Sequence, residues 1–461
     1  MITPQDIVER TLAASTSRGC IVLVQARSIA NLRWARSTLT TNGETLSTSV
    51  TVIALVDVAG GVAAGSVTVS APSPESLPEL VARAEALSIE DGPAEDAAEL
   101  VRDLEASPDW SEAPAVETAE SFSTIAPGLG EVLEAGRADG VEHFGYAEQS
   151  MLTNYLGTST GVRLRFTDSE GRIEFTGKSH DRARSAWVGR AGRTLHGVDL
   201  PSLDAEVRRS LAWQERTIDV EPGRHRALLT PSAVSDLMID LYWSSAGLIA
   251  HEGQSVWSRR GGGTRVGEQV ADPRVTLWSD PSWAGQEAQP FLVASSSSPY
   301  ASVFDNGLPV PATRWIDSGV LGALITSRHT AAVTGLDFRP AADNLRLDVE
   351  GASGSLDDVV ARTDDGLLVT CTWYNRTVDA QTGLLTGLTR DGVYVVRGGE
   401  GVGSATNFRF NESPLALLSR IRDAGTPVPT LAREMGDYFN RAVMPPLLVD
   451  DFNFSTVSQA S

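Results

Sequence analysis

Residues 230–253 read TPSAVSDLMIDLYWSSAGLIAHEG. Thr230 is a good N-cap, Pro231 suits a first helical turn, and Val234, Leu237, Met238, Leu241, Tyr242, Leu248 and Ile249 fall on one face at helical spacing. The spacing predicts one long helix with an apolar stripe, which has to be covered by whatever surrounds it. Downstream lies short-strand material broken by Gly, Pro, Asn and Asp, with helices near 414–423 and 430–440. A last run, 447–454, alternates like an edge strand.

Upstream, Thr3, Pro4 and Asp6 predict a helix start, and a helix to about Ser15. Alternating segments occupy 21–26, 28–36, 39–41 and 44–57, with Asn42-Gly43 between the last two as a hairpin signal. Gly60-Gly61 and a strand at 62–70 continue the meander. Helical patterns come next at 75–87 and 95–104, then at 125–137. The acidic, proline-bearing stretch 90–120 reads as a solvated surface excursion, the alternative being a partner-binding arm. Strands at 142–152, 161–167 and 172–178 and a helix at 204–213 close the first half. The Pro-Gly turn in IDVEPGR (218–224) marks a boundary. No repeat of fixed period is present. The expected fold is α+β, with a mixed-sheet N-terminal domain over 1–218 and a strand-rich antiparallel domain over 219–461 built on the long core helix.

Composition narrows the function classes. At 461 residues, two domains are the default. Net charge is −21, from 38 basic against 59 acidic residues, so the overall field repels nucleic acid and anionic membrane. The first residues, MITPQDIVERTL, do not spell a secretory signal, and no run reaches the roughly 20 apolar residues of a membrane span. Cys20 and Cys371 lie far apart and outside any CxxC pairing, which argues against a disulfide framework and a zinc knuckle. A cytoplasmic protein is expected.

No complete catalytic set is visible in the residues alone. His251-Glu252 spells half a zincin motif, but Gly253 comes at once and no histidine recurs until His329, so the pair reads as a helix end at the surface. Gly157-Thr158-Ser159-Thr160-Gly161 matches the GxSxG elbow, yet a strand rather than a helix comes after it, and a tight turn is expected. Gly177-Lys178-Ser179 resembles the end of a phosphate-binding loop, but Arg172 stands where glycine is required. Residues 259–267, RRGGGTRVG, could cradle an anion, although a flexible loop after the helix is the favoured reading. Cys371 sits in an apolar strand-like run and reads as a buried thiol; His143, His180, His196 and His225 show no ligand spacing.

Several strings together resemble the TldD/TldE (PmbA) family of paired metallopeptidase subunits. They are NLRWARSTLTTNGET (31–45) with the meander after it, YNRTVDAQTGLLTGLTRDGVYVVR (374–397), GEGVGSATNFRFNES (399–413) and MPPLLVDDFNF (444–454). The resemblance covers nearly the whole chain. It implies that a TldD-type subunit carries an HExxxH motif, a nearby Glu-Gly and a late cysteine as its zinc site. Anchoring on Glu252-Gly253 puts Ser244 and Ser245 at the His-Glu positions and Ile249 at the second histidine, with no thiol after Cys371. The resemblance therefore implies a TldE-type, non-catalytic partner with no cofactor or metal of its own. It pairs with a TldD-like, zinc-bearing subunit to form a chamber for unstructured peptides and small flexible proteins. The alternatives are an autonomous hydrolase using His251 and Glu252 or Ser159, and a peptide-binding scaffold without a protease partner.

Overall fold

The computed structural model describes residues 2–458. Helix α1 (Pro4–Ala14) begins where its cap predicts, with the Thr3 hydroxyl accepting the Asp6 amide at 3.1 Å. Strands β1 (Gly19–Ala35), β2 (Thr38–Val58) and β3 (Gly61–Ser70) form a meander, after which come α2 (Leu77–Asp91) and α3 (Ala126–Asp139). Next are β4 (Val141–Thr158), β5 (Arg163–Ser179), β6 (Ser185–Gly192) and α4 (Leu200–Trp213). The six strands make one sheet in the order β3-β2-β1-β4-β5-β6. Expected to be mixed, it is antiparallel throughout, because consecutive strands are joined by hairpins or pair across the β1–β4 seam. Ile7 and Val8 of α1 and Leu80 and Val81 of α2 pack with Val22, Val24 and Val52 of the sheet. Leu129 and Leu133 of α3 and Val207 of α4 pack with Trp34 and Phe175.

Asn42-Gly43 is not a turn. It lies inside β2, opposite Leu32 and Asn31, and the chain reverses earlier, at Arg36 and Ser37 (φ 51° and 54°). Left-handed backbone is unfavourable for such residues. Here it is compensated by β4: Ser37 N donates to His143 O at 2.9 Å, and His143 N donates to Ser37 Oγ at 3.0 Å. A long-range anchor, not the local turn signal, sets the hairpin.

The acidic stretch keeps its charged side chains in solvent, but it is not helical at 95–104. It runs as an irregular strap that lays Leu100 and Val101 against Ile21, Leu55 and Leu156 of the sheet. Trp110 packs edge-on to Tyr155 at 5.7 Å, and Glu117 N donates to Ser28 Oγ at 2.8 Å. Its apolar residues outweigh its charge because they cover apolar side chains on the sheet face beneath them.

The second half holds β7 (Gly223–Leu229), α5 (Pro231–Trp243), α6 (Gly247–His251), β8 (Val275–Ser279), β9 (Thr313–Asp317) and β10 (Val320–Leu321). It continues with α7 (Arg328–Thr334), β11 (Leu345–Val349), α8 (Leu356–Ala361), β12 (Asp365–Asp379), β13 (Leu384–Arg397), β14 (Glu400–Ala405) and β15 (Phe408–Glu412). Last are α9 (Pro414–Leu417), β16 (Ile421–Ala424), β17 (Val428–Thr430), β18 (Ala442–Met444) and β19 (Leu447–Val457). One sheet runs β10-β9-β8-β11-β18-β17. In the other, β12-β7-β19-β15-β13 close into a ring because β12 also pairs with β13. Closure removes free edges, so β19, expected at an edge, sits between β7 and β15. Two pairs, β7–β12 and β11–β18, are parallel where antiparallel was expected. Phe408, Phe410, Phe452 and Phe454 are fully buried in this half, and α5 packs against the same core. Residues 430–440 contain turns rather than a helix, and the helix expected over 414–423 is reduced to α9 and then β16.

Candidate functional site

Helix α5 is buried almost all round, from Ser232 to Ile239 and at Leu241 and Tyr242. The Thr230 hydroxyl accepts the Ala233 amide at 3.3 Å, as its capping role requires. The helix does not run to Gly253. Ser244 Oγ donates to Leu241 O at 2.7 Å and Ser245 Oγ to Tyr242 O at 2.5 Å, so both hydroxyls bond back into the turn before them. Ala246 is extended (φ −62°, ψ 120°). Gly247 N then donates to Ile325 O at 2.8 Å and Ile325 N to Ser245 O at 2.9 Å. A Cβ on Gly247 would lie 2.9 Å from Thr326 Cγ2, so the close approach of that neighbouring segment depends on glycine. Helix α6 resumes for five residues only.

The three positions that the resemblance sets against zinc ligands lie around this break. Ser244 Oγ also accepts from Trp257 Nε1 at 3.0 Å, Ser245 is 3% exposed, and Ile249 is a half-buried hydrocarbon. Zinc takes imidazole, thiolate or carboxylate at about 2.0–2.3 Å. Two hydroxyls already committed to carbonyls and an isoleucine do not fit it. His251 ends α6, and Glu252 is exposed, its Oε2 accepting from Gln254 Nε2 at 3.2 Å. Among the described residues no cluster of three His, Cys, Asp or Glu side chains is placed to hold a metal.

The remaining candidates disperse. Ser159 lies in the β4–β5 turn, its Oγ accepting from Cys20 N at 3.0 Å. His143 Nε2 shares a 2.7 Å hydrogen bond with Asp204 under α4. His225 Nε2 faces Glu221 O at 2.8 Å, and His180 and His196 are exposed. Lys178 lies over the Phe144 ring at 5.6 Å. Burial pushes the Cys20 thiol up to about 11 and the Cys371 thiol higher still, which leaves both poor nucleophiles.

Residue reading missed a pair of carboxylates one turn apart on α5. Asp236 is fully buried and accepts the backbone N–H groups of Glu434 (2.9 Å), Met435 (3.2 Å) and Arg433 (3.2 Å), with the Thr372 hydroxyl at 3.3 Å. Burial pushes its carboxyl up to about 8 against the pull of those amides. Asp240 is pushed up to about 6, by burial first, with Asn375 opposing the shift and Glu434 adding to it. Its Oδ2 and the buried Oδ1 of Asn375 have no hydrogen-bond partner. Glu434 accepts Tyr374 N at 2.9 Å and lies 3.2 Å from Arg376. Tyr374, bonded through its backbone to Glu434, presents a large exposed side chain beside this group. The i, i+4 spacing of two aspartates within an apolar helix was the available signal.

Ionisation of Asp240 makes stability depend on pH. Its folded value lies above the usual value near 3.9, so its contribution is complete below about pH 4 and is lost as pH rises through 6. Asp240→Asn removes that ionisation and supplies an amide donor toward Asn375. The variant is expected to be more stable than the parent by about 2 kcal/mol at pH 8 and no more stable at pH 4, read from urea midpoints at the two pH values. Equal gains at both pH values would contradict the assignment.

A second group joins the two halves. Arg433 stacks on Trp187 of β6 at 4.4 Å and faces Trp373 of β12 at 5.6 Å, with Asp391 at 3.2 Å. Arg441 bonds Asp168 and the carbonyl of Ser169, again across the halves.

Comparison with known proteins bears on this arrangement. Three solved structures share the fold over nearly the full length. TldE from Thermococcus kodakarensis matches with TM-score 0.73 at 14% identity, covering 97% of this chain and 99% of that one. A candidate modulator of DNA gyrase from Bacteroides thetaiotaomicron VPI-5482 matches with TM-score 0.74 at 14% identity, covering 99% and 100%. One from Thermotoga maritima MSB8 matches with TM-score 0.71 at 16% identity, covering 98% and 100%. Comparison with curated proteins finds no sequence match. The family model of the PmbA/TldA metallopeptidase C-terminal domain matches residues 222–456, the half that contains α5, α6 and the closed ring of strands. On that match, which takes in the serine-bearing helix break and the buried aspartates alike, the chain belongs to the PmbA/TldA metallopeptidase family.

Proposed function

We propose that this chain is the metal-free member of a two-subunit metallopeptidase, and that a related, HExxxH-bearing chain supplies the zinc. One observation carries the reading. At the break between α5 and α6, the positions aligned with that motif hold Ser244, Ser245 and Ile249, and both hydroxyls are bonded to backbone carbonyls of the same helix. A chain without ligands has no Lewis acid and no metal-activated water, so it hydrolyses no amide bond by that route. Its own work is to complete a chamber and hold an extended peptide, with unstructured peptides and small flexible proteins as substrates. Its acidic net charge disfavours nucleic acid as a partner, and among the described residues no helix is long and apolar enough to cross a membrane. We place it in the cytoplasm.

The test is co-purification from the native cell and then a peptide-degradation assay. The captured pair is expected to cleave an unstructured peptide and to lose that activity with a chelator, while the isolated chain is inactive in both conditions. Chelator-insensitive cleavage by the isolated chain would refute the reading.

A further inference from the structure

A cavity of about 670 Å³ opens just beyond α6, between the 254–268 loop, the β12–β13 turn and the segment entering α9. Its walls differ in character. Val256, Val270 and Leu415 form an apolar side, and Ser258, Thr382 and Ser413 add hydroxyls. Arg259, Arg260 and Arg265 line the same space with a single acid, Glu268. In a chain of net charge −21 this is a local reversal of sign.

The arginines are arranged rather than merely gathered. Glu268 Oε1 accepts Arg259 Nε at 2.8 Å, and its Oε2 accepts Arg265 Nε at 3.2 Å, so one carboxylate holds two guanidinium groups by their inner nitrogens. Arg265 Nη1 is used on Val256 O at 3.2 Å. The terminal nitrogens of Arg259 and the whole guanidinium of Arg260 make no hydrogen bond among the described residues. Between these arginines the chain turns through Gly261, Gly262 and Gly263 (φ 92°, 114° and 78°), where a Cβ would meet nothing within 4 Å. The Gln381 amide ties the β12–β13 turn to Gly253 O at 3.1 Å, which fixes the cavity against the end of α6.

We propose that this cavity binds the C-terminal carboxylate of a peptide whose last side chain is apolar. Planar guanidinium nitrogens pair with a carboxylate in two parallel hydrogen bonds, and Arg259 and Arg260 have the free nitrogens to do so. The size is that of a ligand pocket, far larger than a lone inorganic anion fills, and the Val256, Val270 and Leu415 wall would then remain uncovered. A free carboxylate carried on an apolar residue satisfies both walls. The inference rests on the peptide-holding role proposed above and names the end of the peptide that this chain grips.

The test uses the full chain alone, so it does not depend on any partner or on cleavage. Calorimetric titration compares N-acetyl-Ala-Ala-Leu as the free acid, the same peptide as its carboxamide, and inorganic phosphate. The acid is expected to bind at least about tenfold more tightly than the carboxamide, with phosphate weaker than the acid. The exposed double variant Arg259→Gln/Arg260→Gln is expected to abolish the preference for acid over carboxamide without changing the thermal unfolding midpoint. Equal affinity for acid and carboxamide, no binding of the acid, phosphate binding more tightly than the acid, or an unchanged preference in the double variant would each overturn the assignment. A pair that degrades peptides while this titration fails would leave the two-subunit reading standing and remove only the pocket.

Discussion

Asp236→Ala is expected to destabilise the chain by about 3–5 kcal/mol, a loss measured as a lowered urea midpoint at unchanged slope. The alanine cannot accept the backbone N–H groups of Arg433, Glu434 and Met435, which converge on this one carboxyl inside the protein. Each buried donor left without a partner costs about 1–3 kcal/mol, and this carboxyl sits fully buried and also accepts the Thr372 hydroxyl of β12. Asp236→Asn keeps one acceptor oxygen and should lose less than half as much. The functional consequence comes from position. The 430–441 segment, which has no helix of its own, is held onto α5 by these bonds, and it carries Arg433 and Arg441 to the junction of the halves. A loss under about 1 kcal/mol in the alanine variant would show that the segment is fixed by packing alone.

The second large effect is at Arg433. Arg433→Ala should cost about 2–4 kcal/mol, because it removes a guanidinium stacked at 4.4 Å on Trp187 and leaves Asp391, its partner at 3.2 Å, largely buried without that cation. Arg433→Lys should recover only part of the loss. An ammonium restores charge beside Asp391 but not the flat face that covers the Trp187 and Trp373 rings. Trp187 belongs to the first sheet and Trp373 to the ring of strands, so the variant should also loosen the two halves against each other. Hydrogen exchange at β6 and β12 amides, faster in the alanine variant than in the parent, is the readout; full recovery by lysine would point to charge alone.

Where a local rule acted alone, the residues announced the structure. Thr3 and Thr230 cap α1 and α5 as their spelling suggests, because a cap needs only the next three residues. Distant partners hid the rest. Asn42-Gly43 has the spelling of a turn, but Ser37 is bonded to His143 of β4, and the reversal moves to it. The 95–104 stretch has helical spacing, but its apolar residues are worth more against the sheet than on an isolated helix. The run at 447–454 alternates like an edge strand, yet ring closure between β12 and β13 leaves it no edge to occupy. At the site, the serines themselves stood in plain view, whereas the helix break at which they stand depends on Ile325, far along the chain. The aspartates at 236 and 240 were spelled out at helical spacing, but nothing local says that three amides from the 430s meet one of them.

The most direct measurement is the zinc content of the purified chain by elemental analysis, alone and in complex with its captured partner, after exposure to excess zinc and removal of loosely held ions. The expected result is no stoichiometric zinc on the chain alone and about one zinc ion per complex, held by the partner. One equivalent of zinc retained by the isolated chain and lost on Ser244→Ala or His251→Ala would contradict the account at its root.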